Sequence, residues 1–221
     1  MTSPHIVLGP HIGTDESGKG DYFGPLVAAA AYADKVAVER LPEAGVRDAK
    51  KVSLSRLWKL EKAVKQICPV FEVISIFPER YNELREQMGN LNHLLAWAHA
   101  RAIENVLAKA DCRVVVADQF GDARVLEGSL MKRGRQIELI QRVRAEDDPA
   151  VAAASVLARA AFIRGLERMS VEIGVVLPRG ATHVLPAARE VFEKGGEELL
   201  RKAAKLHFVT TKKLRAQLSA G

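Results

Sequence analysis

Residues 11–32 read HIGTDESGKGDYFGPLVAAAAY, which is two apolar segments joined by a short turn rich in glycine. Residues 11–15 are predicted to form a short strand, and residues 25–32, which are small and apolar, to form a buried strand. Because so few residues link the two segments, the strands are expected to pair antiparallel as a hairpin. This hairpin is the start of the predicted sheet.

The spacing of apolar residues predicts the remaining elements. A helix with one apolar face is predicted where such residues recur at spacings of three and four, at Leu91, Leu94, Leu95, Ala98, Ala102 and Val106. Residues 113–117, with three consecutive valines, are typical of a strand covered on both faces. The other predicted elements are a helix over 54–66, strands over 70–76 and 136–143, a long helix over 149–169 and two shorter helices after Pro178.

This order of elements predicts an α/β fold, a mixed sheet with helices on its faces. We expect a single domain over residues 1–221, with a helical C-terminal extension from about residue 170. The composition, 48% apolar and 27% charged, is that of an ordinary soluble protein. Cys68 and Cys112 are too few for a disulfide framework and are expected to be reduced thiols. No secretory signal and no run of about 18 apolar residues is visible, so a cytoplasmic protein without a membrane partner is expected. A monomer is also expected.

Basic residues outnumber acidic ones by 33 to 27 and are clustered. Residues 47–65 hold seven basic and two acidic side chains, and residues 201–221 hold six basic and no acidic ones. Such clusters suit a polyanion, most often nucleic acid, and the alternative is a solvated helix face. The low aromatic content, 5%, argues against a single-strand binder built on stacking.

Acidic residues lie at the ends of several predicted elements. Asp15 and Glu16 close the first strand, Asp118 follows the valine-rich strand, and the acids at 146–148 precede the alanine-rich helix. Sites of α/β proteins lie at the ends of central strands, whereas acids before a helix commonly stabilise it. Converging carboxylates repel one another unless a cation neutralises them, and their oxygen atoms suit Mg²⁺ or Mn²⁺. In a basic protein, this pattern predicts metal-assisted phosphodiester chemistry.

The turn after Glu16 carries Gly18, Lys19 and Gly20. Glycines permit backbone N–H groups to approach a phosphate or ribose, and the lysine supplies positive charge. Next to the paired acids, this turn predicts the substrate side of the same site.

Four segments resemble the type 2 ribonuclease H family, and ribonuclease HIII most closely. They are residues 12–32, DAKKVS at 48–53, AVAAASVLARAAFI at 150–163 and KLHFVTTKKL at 205–214. The matches cover nearly the whole chain, and the first and third are specific. The resemblance implies an RNase H-like fold and a two-metal endonuclease, dependent on Mg²⁺ or Mn²⁺. Such an enzyme cuts the RNA strand of RNA/DNA hybrids and leaves 5′-phosphate and 3′-hydroxyl ends.

The same resemblance implies roles for individual residues. The four metal-binding catalytic acids match Asp15, Glu16, Asp118 and Glu146, with Asp147 as the alternative for the fourth. The turn that contacts the hybrid matches Gly18, Lys19 and Gly20. Further substrate contacts are implied at Lys50, Lys51, Ser53 and Ser155. His93 and His99, on the helix predicted over 91–106, are assigned no role.

Ribonuclease HIII enzymes usually carry an N-terminal TBP-like domain, whereas the resemblance here starts near residue 11. We expect either that the basic clusters grip the hybrid, with residues from 201 onward replacing part of that grip, or that the chain is a ribonuclease HII relative. Ribonuclease HII incises single ribonucleotides in duplex DNA, and a tyrosine in its C-terminal half helps recognise the RNA–DNA junction. Tyr22, Tyr32 and Tyr81 all lie in the first half of this chain, which favours hybrid cleavage. A non-catalytic hybrid-binding protein is a further alternative, but it has no reason to keep four acids that repel a polyanion.

Overall fold

The computed structural model describes residues 9–46, 52–119, 122–143 and 145–219. Within these residues the chain forms five strands: β1 (His11–Ser17), β2 (Leu26–Ala33), β3 (Val70–Ile76), β4 (Val114–Asp118) and β5 (Glu138–Arg142). It also forms eight α-helices: α1 (Lys35–Glu43), α2 (Leu54–Ile67), α3 (Pro78–Met88), α4 (Leu91–Leu107), α5 (Ala123–Ser129), α6 (Pro149–Ile173), α7 (Leu185–Ala203) and α8 (Val209–Ser219). The strands make one sheet in the order β3-β2-β1-β4-β5. The predicted α/β architecture, a mixed sheet flanked by helices with helices at the C-terminus, is confirmed.

The residues group into two compact units, each built from separate parts of the chain. The first unit comprises Met1–Ser17, Val27–Ile74 and Asn90–Ala160, and it holds most of the sheet. The second comprises Gly18–Leu26, Ser75–Gly89 and Ala161–Gly221, and it holds α3, α7 and α8. The single domain expected from the sequence therefore remains a prediction.

Strand β1 organises the sheet of the first unit. It pairs antiparallel with β2, from His11 opposite Ala33 to Ser17 opposite Val27, which confirms the predicted hairpin. It pairs parallel with β4, and β4 in turn pairs parallel with β5. The carboxyl ends of these three strands therefore share one edge of the sheet, which is where sites of α/β proteins lie.

The alanine-rich start of α6 packs closely on β1. A Cβ atom added at Gly13 would lie 2.1 Å from backbone atoms of Ala150 and Val151. Both of those residues are fully buried, as are Ala153 and Ala154. The small side chains of this helix were predicted to allow another element to approach closely, and β1 is that element.

Replacing Gly13 by alanine is expected to destabilise the protein, because the added methyl group meets backbone atoms that cannot turn away. The free energy of unfolding should fall by about 2–3 kcal/mol, as for an overpacked core, in urea denaturation monitored by circular dichroism. Gly128→Ala is the matched control, since a Cβ at Gly128 meets nothing within 4 Å. Equal stability of the two variants would contradict the close approach.

Three of the helices, α1, α3 and α5, were not predicted from the sequence. α3 begins at Pro78, two residues after β3 ends, and proline fits the first turn of a helix because an N–H there would have no partner within the helix. α1 and α5 are short and begin after Asp34 and Asp122, whose carboxylates accept hydrogen bonds from Ala37 N and Arg124 N. The capping signals were present, but the apolar spacing over such short segments is weak.

Helix α6 is long and apolar enough to cross a membrane. However, 83% of its most apolar window is buried inside the protein, as expected for the core helix of a globular protein. The absence of a membrane partner remains a prediction.

Candidate active site

Two of the predicted acids lie at the carboxyl ends of neighbouring parallel strands. Thr14 of β1 pairs with Ala117 of β4, and the next residue on each strand is Asp15 or Asp118. Paired strands lie about 4.8 Å apart, so this register puts Asp118 beside Asp15. Acids that are about a hundred residues apart in the chain are thereby brought to one edge of the sheet.

Asp15 is a buried carboxyl next to another carboxyl. Its side chain accepts a hydrogen bond from Glu16 N at 2.8 Å. Burial and the charge of Glu16 raise the pKa of Asp15 to about 6, against the hydrogen bonds from Glu16 N and the Ser155 hydroxyl. Ionised Asp15 is therefore costly in the metal-free protein, and a bound cation would relieve that cost.

Glu16 is held by His99, a residue to which the sequence assigned no role. His99 is fully buried on α4, with Nε2 3.1 Å from Glu16 Oε2 and Nδ1 2.8 Å from Thr14 Oγ1. Thr14 donates its only hydroxyl hydrogen to Ala29 O, so His99 Nδ1 must donate to Thr14. Nε2 lies against the Glu16 carboxylate, so the ring links Glu16 to Thr14. One signal was available in the sequence, since His99 lies four residues after Leu95 and three before Ala102 on the apolar face of the helix.

Replacing His99 by alanine is expected to weaken Mn²⁺ binding by about 10- to 100-fold, the usual cost of losing a partner that orients a ligating carboxylate. Isothermal titration of the folded variant measures this change. His93→Ala is the control, because His93 is exposed on the same helix. Unchanged Mn²⁺ affinity in His99→Ala would show that His99 does not orient Glu16.

The acids at 146–148 have three different environments. Asp148 is fully buried and caps α6, accepting hydrogen bonds from Ala150 N, Val151 N and His11 Nε2. Asp147 is exposed and lies 3.2 Å from the Arg142 guanidinium. Glu146 is half-buried and directly follows Ala145, whose N–H donates to Asp118 Oδ1 at 3.2 Å. The bond from Ala145 places the start of this acidic segment beside Asp118, and the choice between Glu146 and Asp147 stays a prediction.

The donor chemistry of Asp15, Glu16, Asp118 and Glu146 fits a magnesium or manganese ion, since all the side-chain donors are carboxylate oxygens. Across residues 9–46, 52–119, 122–143 and 145–219, no three acidic, histidine or cysteine side chains already converge as a ligand cage. Glu16 and Asp118 hydrogen-bond to His99 and Ala145 N instead. Mg²⁺ is commonly held by one or two carboxylates together with waters and substrate phosphates, so an open carboxylate site suits it.

The predicted substrate turn belongs to the second unit. Gly18 has φ +85°, and a Cβ there would lie 2.2 Å from Pro25 O, so the position requires glycine. Asp21 N donates to Gly18 O at 3.3 Å and closes the turn. Lys19 is half-buried and Gly20 is exposed.

Comparison with known proteins identifies the family. A family model described as Ribonuclease HII matches residues 12–211. The chain belongs to the ribonuclease HII family. Ribonuclease HIII of Protochlamydia amoebophila is 46% identical over 206 residues, which are 93% of this chain and 68% of that protein. Ribonuclease HIII of Chlamydia pneumoniae is 44% identical over 207 residues, which are 92% of this chain and 69% of that protein.

Solved structures agree with this assignment. The crystal structure of Bst-RNase HIII in complex with Mn²⁺ matches with a TM-score of 0.88 at 32% identity, over 97% of this chain and 72% of that one. Ribonuclease H2 from Pyrococcus horikoshii OT3 matches with a TM-score of 0.82 at 21% identity, over 96% of this chain and 100% of that one, which supports the fold alone. The predicted resemblance to type 2 ribonucleases H, including ribonuclease HIII, is confirmed. The protein is a metal-dependent ribonuclease H.

The structure places the other predicted substrate contacts of this ribonuclease as follows. Ser53 is exposed, and its hydroxyl accepts a hydrogen bond from Arg56 N at the start of α2. Ser155 is buried on α6, where its hydroxyl hydrogen-bonds to Asp15. Lys50 and Lys51 lie outside the described residues. All four stay predicted contacts.

Most basic side chains from residue 201 onward make contacts within the protein. Three of these side chains form ion pairs in the second unit: Arg201 with Glu86, Lys202 with Glu198 and Arg215 with Glu197. Lys205 is fully buried. Lys212 and Lys213 are exposed on α8. The expected grip on a polyanion thus has fewer outward-facing charges than the count of basic residues indicated.

Proposed function

We propose that the protein is an endoribonuclease that hydrolyses the RNA strand of RNA/DNA hybrids with two divalent cations, leaving 5′-phosphate and 3′-hydroxyl ends. The observation that carries the proposal is the parallel register of β1 and β4, which sets Asp118 beside Asp15 in a member of the ribonuclease HII family. Bst-RNase HIII, which shares the fold at 32% identity, was crystallised in complex with Mn²⁺.

Asp15, Glu16, Asp118 and Glu146 are proposed to hold the cations. Cations held by these residues would supply the positive charge that lowers the pKa of a water and neutralises charge on the scissile phosphate. His99 orients the Glu16 carboxylate, and the Ala145 N–H orients Asp118. The turn at residues 18–20 is proposed to contact the ribose 2′-hydroxyl, the group that distinguishes RNA from DNA.

The tyrosines favour hybrid cleavage over incision at a single embedded ribonucleotide. Tyr22 and Tyr81 are fully buried, and Tyr32 is partly buried on β2. An RNA–DNA junction is read by a side chain that reaches the substrate, which the fully buried Tyr22 and Tyr81 do not do. Ribonuclease HII-type incision therefore remains the second candidate function.

The proposal is tested by comparing two substrates with either Mg²⁺ or Mn²⁺: a long RNA/DNA hybrid and a DNA duplex with one ribonucleotide. We expect cleavage at several positions of the hybrid, faster than at the single ribonucleotide, with 5′-phosphate ends in product mapping. Incision of only the single ribonucleotide would assign the activity to the second candidate. Binding of the hybrid without cleavage in either metal would contradict both.

A further inference from the structure

Lys205 is an ionisable side chain buried completely in the second unit. Its Nζ donates to Asp21 O at 2.8 Å and Gly24 O at 2.7 Å, and lies 3.4 Å from Phe23 O. An ammonium group donates three hydrogen bonds and accepts none, so the three carbonyl oxygens satisfy all of its donors. Burial lowers the pKa of Lys205 to about 7, against the charge of Asp21. Burying a lysine costs desolvation free energy, and the hydrogen bonds to these carbonyl oxygens offset that cost.

The chain segment around Lys205 is fixed independently on its other side. Asn82 of α3 donates to Ala204 O at 2.9 Å and accepts from Leu206 N at 3.0 Å. One buried side chain makes both bonds and so fixes the backbone on either side of Lys205. The backbone that carries Lys205 is therefore fixed by hydrogen bonds on both sides.

Residues 21–24 are held at several further points. Tyr22 O accepts from Lys205 N, and Tyr22 N donates to Gly180 O, each at 2.9 Å. Asp21 Oδ1 accepts from Gly180 N at 2.6 Å, and the Tyr22 hydroxyl pairs with Thr211 at 3.1 Å. With Lys205, these bonds restrain the end of the turn that begins at Gly18.

The conformation of residues 18–20 depends on the restrained residues 21–24. Residues 18–20 contain two glycines, which are flexible unless neighbouring structure fixes them. The bond from Asp21 N to Gly18 O, 3.3 Å long, joins the front of the turn to the segment that Lys205 holds. A turn fixed before it meets its ligand loses less conformational entropy on binding, which increases affinity.

We propose that Lys205 is a positioning residue that fixes the turn at residues 18–20 for contact with the phosphate or ribose of the RNA strand. The proposal rests on the proposed function and extends it to a residue that does not touch the substrate. It predicts that loss of Lys205 weakens substrate binding but not cation binding. The four acids belong to the first unit, whereas the turn and Lys205 belong to the second.

The test compares Lys205→Met, which removes the donors but keeps much of the side-chain length, with wild type. The dissociation constant of an RNA/DNA hybrid is measured by fluorescence anisotropy in EDTA, and Mn²⁺ affinity is measured by titration without nucleic acid. We expect hybrid affinity to fall about 10- to 100-fold, the cost of a misplaced contact, with Mn²⁺ affinity unchanged. In cleavage assays the KM for the hybrid should rise more than kcat falls.

Lys109→Met is the matched control, since it removes one positive charge from an exposed side chain paired with Glu72. Its hybrid affinity should stay close to wild type. Lys205→Gln keeps two N–H donors and should bind the hybrid with intermediate affinity, and it carries the comparison if the methionine variant does not fold. Wild-type hybrid affinity in a folded Lys205→Gln or Lys205→Met protein, judged by circular dichroism, would overturn the proposal. Failure of the wild type to cleave the hybrid would overturn the proposed function instead, because the EDTA binding comparison does not depend on cleavage.

Discussion

Asp15→Asn is expected to abolish metal-dependent cleavage and, at the same time, to stabilise the metal-free protein. Asparagine keeps the oxygen that accepts from Glu16 N but lacks the charge that a cation needs. It also removes the repulsion between two neighbouring carboxylates, one of which is buried. Loss of activity with a gain in stability is the signature of a charge kept for function.

The sign of the pH dependence follows from the pKa of Asp15, which is raised from 3.8 to about 6 in the folded protein. Between these values the unfolded chain is ionised while the folded protein still binds a proton, so wild-type stability falls as pH rises. Above about pH 6 the full penalty applies, and the asparagine variant should be more stable by roughly 1–3 kcal/mol. Well below pH 4, Asp15 is protonated in both the folded and the unfolded wild type, and the stability difference between wild type and variant should vanish.

Urea denaturation of both metal-free proteins at acidic and neutral pH measures the predicted difference. Mn²⁺ should raise the melting temperature of the wild type and have a smaller effect on the variant, since a ligand stabilises the protein only as far as it binds the folded state. An active asparagine variant would refute the role of Asp15. A variant that is less stable than wild type at neutral pH would refute the proposed electrostatic penalty.

Glu146→Gln is expected to lower kcat by about 10²- to 10³-fold, because losing one carboxylate of a cation site removes several kcal/mol of transition-state stabilisation. Asp147→Asn is the matched control one residue away. Asp147 is exposed and paired with Arg142, so its loss should change kcat only slightly. Steady-state kinetics on the hybrid measures both values.

The reverse ranking of these variants would make Asp147 the fourth acid, which is the alternative that the sequence left open. Equal losses in both would contradict the distinction drawn from their environments. The ion pair of the exposed Asp147 with Arg142 is the structural reason for expecting Glu146 to matter more.

The sequence predicted the sheet and the acids well because both depend on local patterns. The hairpin is encoded by a short glycine-rich link, and Asp118 follows three valines and an alanine, a run typical of a covered strand. An acid at the end of such a strand is visible without knowing which strand lies beside it. Its neighbour, Asp15, is set by the strand order, which the structure supplies.

Other features of the site depend on contacts that a linear pattern does not contain. His99 and Glu16 are 83 residues apart in the chain, so their hydrogen bond appears only after folding. Counting charges treated Lys205 as part of a basic surface, whereas its ammonium group points inward to backbone carbonyls. A charge count gives the number of basic side chains and not the direction of each, and α3 was missed because proline both ends strands and begins helices.

The central claim is that acids from β1, β4 and the segment before α6 bind divalent cations together. Anomalous diffraction from crystals grown with Mn²⁺ tests it most directly, because the signal locates the ion without reference to activity. We predict Mn²⁺ bound by carboxylates of Asp15, Glu16, Asp118 and Glu146. Manganese density at other residues, with none at the carboxyl ends of β1 and β4, would contradict the account.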